Sequence, residues 1–295
     1  MKELRFENIT VDSVTIPLFA QKKIELSVLR IDKLHEIVSG NKWFKLRYYI
    51  SDAIDQQKKH IVTFGGAYSN HIVATAAACQ ISQLACTGII RGEEPSSLSP
   101  TLLQAKELGM QLVFTSREEY AVKKLPDLLN DKDQYIINEG GYGRKGAKGA
   151  TGIADHFTPA DYSHICCAVG TGTMMAGLLN ALPGREVIGI STMKNNFQLE
   201  NAVRQLLKEP QRSVQLFHDY HFGGYAKYKP ELLSFMNDFY KATGIPSDFV
   251  YTGKLFYAVN DLASKDFFPP GSKLLLIHSG GLQGNRSLSK DTLIF

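Results

Sequence analysis

The chain has 295 residues, 44% hydrophobic and 21% charged, which suits a soluble globular protein with one large or two ordinary domains. Its formal charge of +4 comes from 33 basic and 29 acidic residues spread along the sequence; the densest basic cluster is only Lys58-Lys59-His60, no stripe for nucleic acid. No apolar run reaches membrane-spanning length, no signal-peptide pattern opens the chain, and Cys79, Cys86, Cys166 and Cys167 form no CxxC pair, so a reduced, cytoplasmic setting is expected.

In chain order the patterning predicts a helix over 43–57, a strand over 60–64, a helix over 69–82 and a strand over 85–90. There follow a helix over 98–108 and strands over 111–115, 134–138 and 164–169. The rest reads as helix 174–182, strands 186–191 and 214–218, helix 231–243 and strand 273–278. Several strands are nearly continuous in Val, Ile and Leu, as in parallel sheets covered on both faces. The alternation predicts an α/β protein. Glycine-rich connections stand at 64–66, 139–152, 170–172 and 279–281. The first, third and fourth follow strand ends, where open α/β sheets bind ligands. The second suits a crossover between two lobes with a cleft between them.

Three segments could carry chemistry. Gly170-Thr171-Gly172-Thr173 joins a buried strand to a helix, so its N–H groups and two hydroxyls could hold a phosphate, although a tight turn explains the glycines as well. It lacks the P-loop order. The next strand ends in Ser191-Thr192 rather than an acidic residue, which argues against a dinucleotide. Ser39-Gly40-Asn41-Lys42 places a lysine at a helix start, where the helix dipole disfavours its charged form; Lys45 competes one turn later. Gly65-Gly66-Ala67-Tyr68-Ser69-Asn70-His71 is either an ordinary N-cap at Ser69 or Asn70 or a loop whose N–H groups hold a carboxylate. His218, Asp219 and His221 have no further ligand at metal-site spacing, and no metal is expected.

In register, Gly40-Asn41-Lys42, the run GGAYSNHIVATAAA from Gly65 to Ala78, Glu139-Gly140-Gly141, Gly170-Thr171-Gly172, Phe222-Gly223-Gly224-Tyr225, Tyr251-Thr252-Gly253-Lys254 and His278-Ser279-Gly280-Gly281 resemble the 1-aminocyclopropane-1-carboxylate deaminase and D-cysteine desulfhydrase family. That family is dependent on pyridoxal 5'-phosphate and shares the tryptophan synthase β-like fold, PLP fold type II. The resemblance implies a two-lobed α/β structure of parallel sheets flanked by helices. Residues 1–50 and 150–295 would form the larger, cofactor-binding domain and 51–149 the smaller.

The same resemblance implies that Lys42, not Lys45, holds the cofactor as a Schiff base. It puts the phosphate on Gly170, Thr171, Gly172 and Thr173, the ring hydroxyl by Asn70 and the ring nitrogen by Ser279. It places substrate beside Ser69, Asn70, His71 and Thr252, with Tyr225 and Tyr251 near it and Lys42, Ser69 and the two tyrosines catalytic. The partner is a small amino acid, and the protein a homodimer. Phe44 and Val73 stand where the family usually has arginines. The deaminase carries a glutamate at the position of Thr252 and a leucine at that of Ser279, whereas desulfhydrases carry hydroxyl residues at both. A neutral hydroxyl leaves the pyridine nitrogen unprotonated and the electron sink weaker, enough to expel a thiolate from a β-carbon. The expected activity is therefore β-elimination of the D-cysteine desulfhydrase kind, yielding pyruvate, ammonia and sulfide. Deaminase activity stands second, and a cofactor-binding protein with little catalysis third.

Overall fold

The computed structural model describes residues 4–38, 40–125 and 132–295; Ser39, part of the turn before Lys42, lies outside them. Among the described residues, ten strands form two sheets and ten segments are α-helical. The larger has the order β1 (Val11–Val14), β2 (Glu25–Leu29), β10 (Lys273–Ile277), β7 (His164–Val169), β8 (Glu186–Ser191), β9 (Gln215–Phe217), parallel except for the β1–β2 pair. The smaller runs β5 (Gln111–Thr115), β4 (Ala85–Arg91), β3 (His60–Gly65), β6 (Gln134–Ile137), all parallel. The helices are α1 (Pro17–Gln21), α2 (Asn41–Asp55), α3 (Asn70–Ile81), α4 (Pro100–Glu107), α5 (Arg117–Ala121), α6 (Arg144–Thr151), α7 (Thr173–Ala181), α8 (Leu199–Arg204), α9 (Pro230–Thr243) and α10 (Thr252–Ser264).

Side chains alternate across a strand, and the larger sheet uses both faces. Ile165, Cys167, Val169, Leu275 and Ile277 join one core with residues of α6 and α7. Cys166, Ala168, Leu274 and Leu276 join the other with Leu255, Phe256 and Val259 of α10. This explains the unbroken apolar runs, including the two cysteines, which are free and buried. The smaller sheet is likewise covered by α2, α3 and α4 on one side and by Tyr120 on the other.

All eight expected strands are present within a residue of their predicted ends, and the five expected helices within two. Besides the added short helices α1, α5 and α8, three larger features differ from the sequence reading. β1 and β2 extend the larger sheet at one edge. The apolar face of 252–264 forms α10. The glycine-rich run after Glu139 is no plain linker: its second half is α6, whose glycines face other helices. A Cβ on Gly149 would lie 1.9 Å from the Phe44 carbonyl oxygen of α2, and one on Gly177 of α7 would lie 2.7 Å from the Ala147 oxygen of α6. Backbones touch there, so propensity is overridden by packing. No described helix is long and apolar enough to cross a membrane.

Candidate active site

The C-terminal ends of β3, β4, β7 and β8 and the segment after β10 open onto one cavity, where parallel sheets bind ligands. Lys42, Ser69, Asn70, His71, Gly170, Thr171, Gly172, Tyr225, Tyr251 and Ser279 line it. Thr173 stands behind Thr171, their hydroxyl oxygens 3.1 Å apart. Thr252 is the exception: it is fully buried off the cavity wall, its hydroxyl donating to Asp248 Oδ1 at 2.6 Å.

Lys42 reaches the cavity from the first turn of α2. The chain enters that turn through Gly40 at φ +59°, where a Cβ would lie 2.0 Å from the Ser279 carbonyl oxygen. Only glycine fits, and the Asn41 amide donates to that same oxygen at 3.2 Å. Lys42 Nζ donates to Asn41 Oδ1 at 2.9 Å and lies 5.6 Å from the centre of the Tyr251 ring. Removal from water lowers its pKa to about 8, against the opposing pull of the Asp248 carboxylate. Lys45 is more deeply placed: burial and then the neighbouring Lys42 hold it well below the usual lysine range, and its amine donates to the Gly140 oxygen at 3.3 Å.

Ser69 stands at the N-cap position of α3 but makes no side-chain capping bond, so the bland reading of that serine fails. Asn70 Oδ1 and His71 Nδ1 are buried without a hydrogen-bond partner. The Thr63 hydroxyl donates to the Ile137 oxygen at 2.8 Å and therefore accepts from His71 Nε2, also at 2.8 Å. That assigns the His71 proton to Nε2 and leaves Nδ1 an acceptor. Burial, then Lys42 and Lys45, push the His71 pKa down to about 3, so the ring is neutral.

The turn before α7 places Gly172 in the left-handed region at φ +85°. Unpaired amides at such a helix start attract an anion. Across the cavity the Tyr225 hydroxyl donates to the Tyr68 oxygen at 3.3 Å. Burial raises the Tyr225 pKa to about 12 and pushes Tyr251 well above the ordinary phenol value, so both keep their protons.

Two buried charges were given no role in the sequence reading. Asp248 is fully buried and accepts from the amides of Val250 (3.0 Å), Tyr251 (2.8 Å) and Thr252 (2.9 Å) as well as the Thr252 hydroxyl. It caps α10 and holds Tyr251. Lys254, also fully buried, donates to the carbonyls of His221 and Gly224 at 2.8 Å each, bracing the segment that carries Tyr225. An Asp four residues before a Thr, ahead of an apolar helical period, was the available signal for the cap. His218, Asp219 and His221 do not line this cavity.

Comparisons with known proteins place the chain in a family and a fold. The family described as "Pyridoxal-phosphate dependent enzyme" matches residues 18–280. The Arabidopsis thaliana protein named bifunctional D-cysteine desulfhydrase/1-aminocyclopropane-1-carboxylate deaminase, mitochondrial, is 30% identical over 88% of this chain and 73% of its own length. A 1-aminocyclopropane-1-carboxylate deaminase of Bradyrhizobium sp. (strain ORS 278) is 27% identical over 83% of this chain and 82% of its own. A crystal structure described as an ACC deaminase homologue superposes with a TM-score of 0.80 at 27% identity, covering 96% of this chain and 94% of that one. A pyridoxal 5'-phosphate-dependent aspartate racemase, at 14% identity and a TM-score of 0.71, shares the fold.

Proposed function

Because the chain belongs to the pyridoxal-phosphate dependent enzymes, within the 1-aminocyclopropane-1-carboxylate deaminase and D-cysteine desulfhydrase relatives, we propose that it is a lyase eliminating the β-substituent of a small amino acid, with D-cysteine the favoured substrate. The residues present fit the cofactor. A depressed amine, a buried unpartnered amide oxygen on Asn70 and an anion-seeking helix start at Gly170–Thr173 converge on one cavity. Lys42 would hold its aldehyde carbon, Gly170, Thr171, Gly172 and Thr173 its phosphate, and Asn70 and Ser279 its ring.

Pyridoxal phosphate, when bound, supplies an electron sink for the charge left by loss of the α-proton. The chain's own residues do the rest. Ser69 and the amides of its turn bind the substrate carboxylate, and the neutral His71 accepts a hydrogen bond at Nδ1. The Lys42 amine, poised near about 8, accepts the α-proton as a free base. Tyr251, holding its proton, donates a hydrogen bond to the departing sulfur, and Tyr225 joins it by turning its proton away from the Tyr68 oxygen.

The observation favouring elimination is the polarity of the Ser279 wall. Ser279 brings a neutral hydroxyl residue to the cavity, and Asp248, beside Gly281, has both carboxylate oxygens committed to its own helix start. Deaminase activity is the second reading, favoured by the names of the relatives. A panel of D- and L-amino acids with 1-aminocyclopropane-1-carboxylate, read for keto acid, sulfide and cofactor absorbance, separates the two. Pyruvate and sulfide from D-cysteine are expected. Turnover of the cyclopropane alone would reverse the order. Retained cofactor when Lys42 is replaced by alanine would remove Lys42 from its role. The same reading takes a cytoplasmic homodimer, checked by light scattering and cell fractionation.

A further inference from the structure

Arg91 ends β4 at the C-terminal edge of the smaller sheet and lines the cavity with Lys42 and Tyr225. Its guanidinium carbon stands 5.8 Å from the centre of the Tyr120 ring, which steadies the group from one side. A methyl group on Gly66 would meet Arg91 Nη2 at 3.6 Å, so the guanidinium rests on the turn that leads into Ser69 and α3.

On the cavity side the other charges are taken or muted. Glu139, on the same wall, is taken by Lys123 at 2.6 Å. Lys42 and Lys45 are both pushed toward their neutral forms by burial. Arg91 is exposed and also borders a surface pocket with Glu93 and Glu118, but among the described residues no carboxylate stands within ion-pair distance of it, and its guanidinium is open to the cavity. Its planar fork matches a carboxylate with two parallel N–H donors, and Gly66, Ser69 and Asn70 of the adjoining turn line the same cavity.

We propose that Arg91 is the charged half of the substrate-carboxylate site, its guanidinium and the Gly66–Asn70 turn gripping one α-carboxylate from two sides. This rests on the amino-acid reading of the cavity, and it gives the chain a carboxylate-binding arginine that none of its sequence motifs contains. The recognised class is a free α-amino acid; an amide or ester of it is excluded.

The test uses the cofactor-loaded protein and the variants Arg91→Met and Arg91→Lys. Unreactive D-alanine is titrated against the cofactor absorbance for a Kd, and D-cysteine and β-chloro-D-alanine are turned over for KM and kcat. Arg91→Met is expected to raise the Kd and both KM values about tenfold or more, the worth of a charge-assisted bond. It should leave kcat within about twofold and cofactor content unchanged, and Arg91→Lys should fall between. Unchanged Kd and KM in a protein that turns over its substrate would sink this inference alone. So would a loss confined to D-cysteine, which would put the guanidinium at the side chain instead. A wild-type protein that takes up no cofactor would sink the underlying reading as well.

Discussion

Replacing Asp248 by alanine tests whether the buried carboxylate organises the site. The side chain satisfies three backbone amides and one hydroxyl at 2.6–3.0 Å. Alanine leaves these four donors unpaired at roughly 1 kcal/mol each, so a loss of about 4 kcal/mol is expected. It should appear in cofactor-free protein as a lower urea midpoint at unchanged slope, and as a fall in Tm of about 8–16 °C. Asp248→Asn keeps one acceptor oxygen and should lose about half as much. A second consequence separates charge from capping. Asp248 is the group that holds the Lys42 pKa up against burial, so in Asp248→Asn the Lys42 amine should ionise below about 8. Cofactor uptake by apoprotein, which needs the free amine, should then reach half its maximal rate at a lower pH than in the wild type. A stability loss under about 1 kcal/mol in the alanine variant, or an unmoved uptake midpoint in the asparagine variant, would refute the reasoning.

Three further outcomes follow from the same structure. An unfolded lysine keeps its proton to about 10.5, whereas folded Lys42 and Lys254 each release theirs near about 8. Lys45 is held low as well, so at these three lysines the unfolded chain binds more protons, and apoprotein stability should rise with pH from about 8 until the thiols of Cys79, Cys166 and Cys167, held protonated by the fold, begin to ionise in the unfolded chain; Lys42→Met should remove about a third of that rise in pH-dependent urea unfolding. Gly149→Ala drives a methyl group into the Phe44 carbonyl and should cost about 2–4 kcal/mol by the same assay, far beyond the gain from helix propensity. Tyr225→Phe removes the donor facing the leaving group and should lower kcat about tenfold with the cofactor spectrum intact, read in steady-state turnover of D-cysteine.

Much of the fold was legible because both faces of the central strands are buried. Runs such as Ile165–Val169 admit few other readings. β1 and β2 were missed for the opposite reason. Val11–Val14 is a four-residue edge strand with one buried position, and Glu25–Leu29 alternates with a serine at its centre. α6 was missed because Arg144–Thr151 carries two glycines, which read as flexibility when only the chain's own propensity is weighed; their purpose appears once α2 and α7 lie alongside. In the site, segments far apart in sequence converge as their common position after strand ends suggested. Thr252 shows where that logic stops. A hydroxyl within a motif can face the cavity or an interior carboxylate, and no periodicity distinguishes the two. Asp248 and Arg91 were passed over, and Lys254 was given a place in a motif but no role, because a buried or site-facing charge looks like a surface one until its neighbours are known.

The glycine contacts between helices also act as a ruler. Lys42 begins α2 and Thr173 begins α7, and α6 lies between them with backbone against backbone at Gly149 and Gly177. The separation between the point that would grip the cofactor's aldehyde and the point that would grip its phosphate is therefore set by one helix packed through glycine and alanine alone. That length has no rotamers through which to vary. A rigid cofactor of fixed span can be selected at two ends at once, by helices that never touch it along their length.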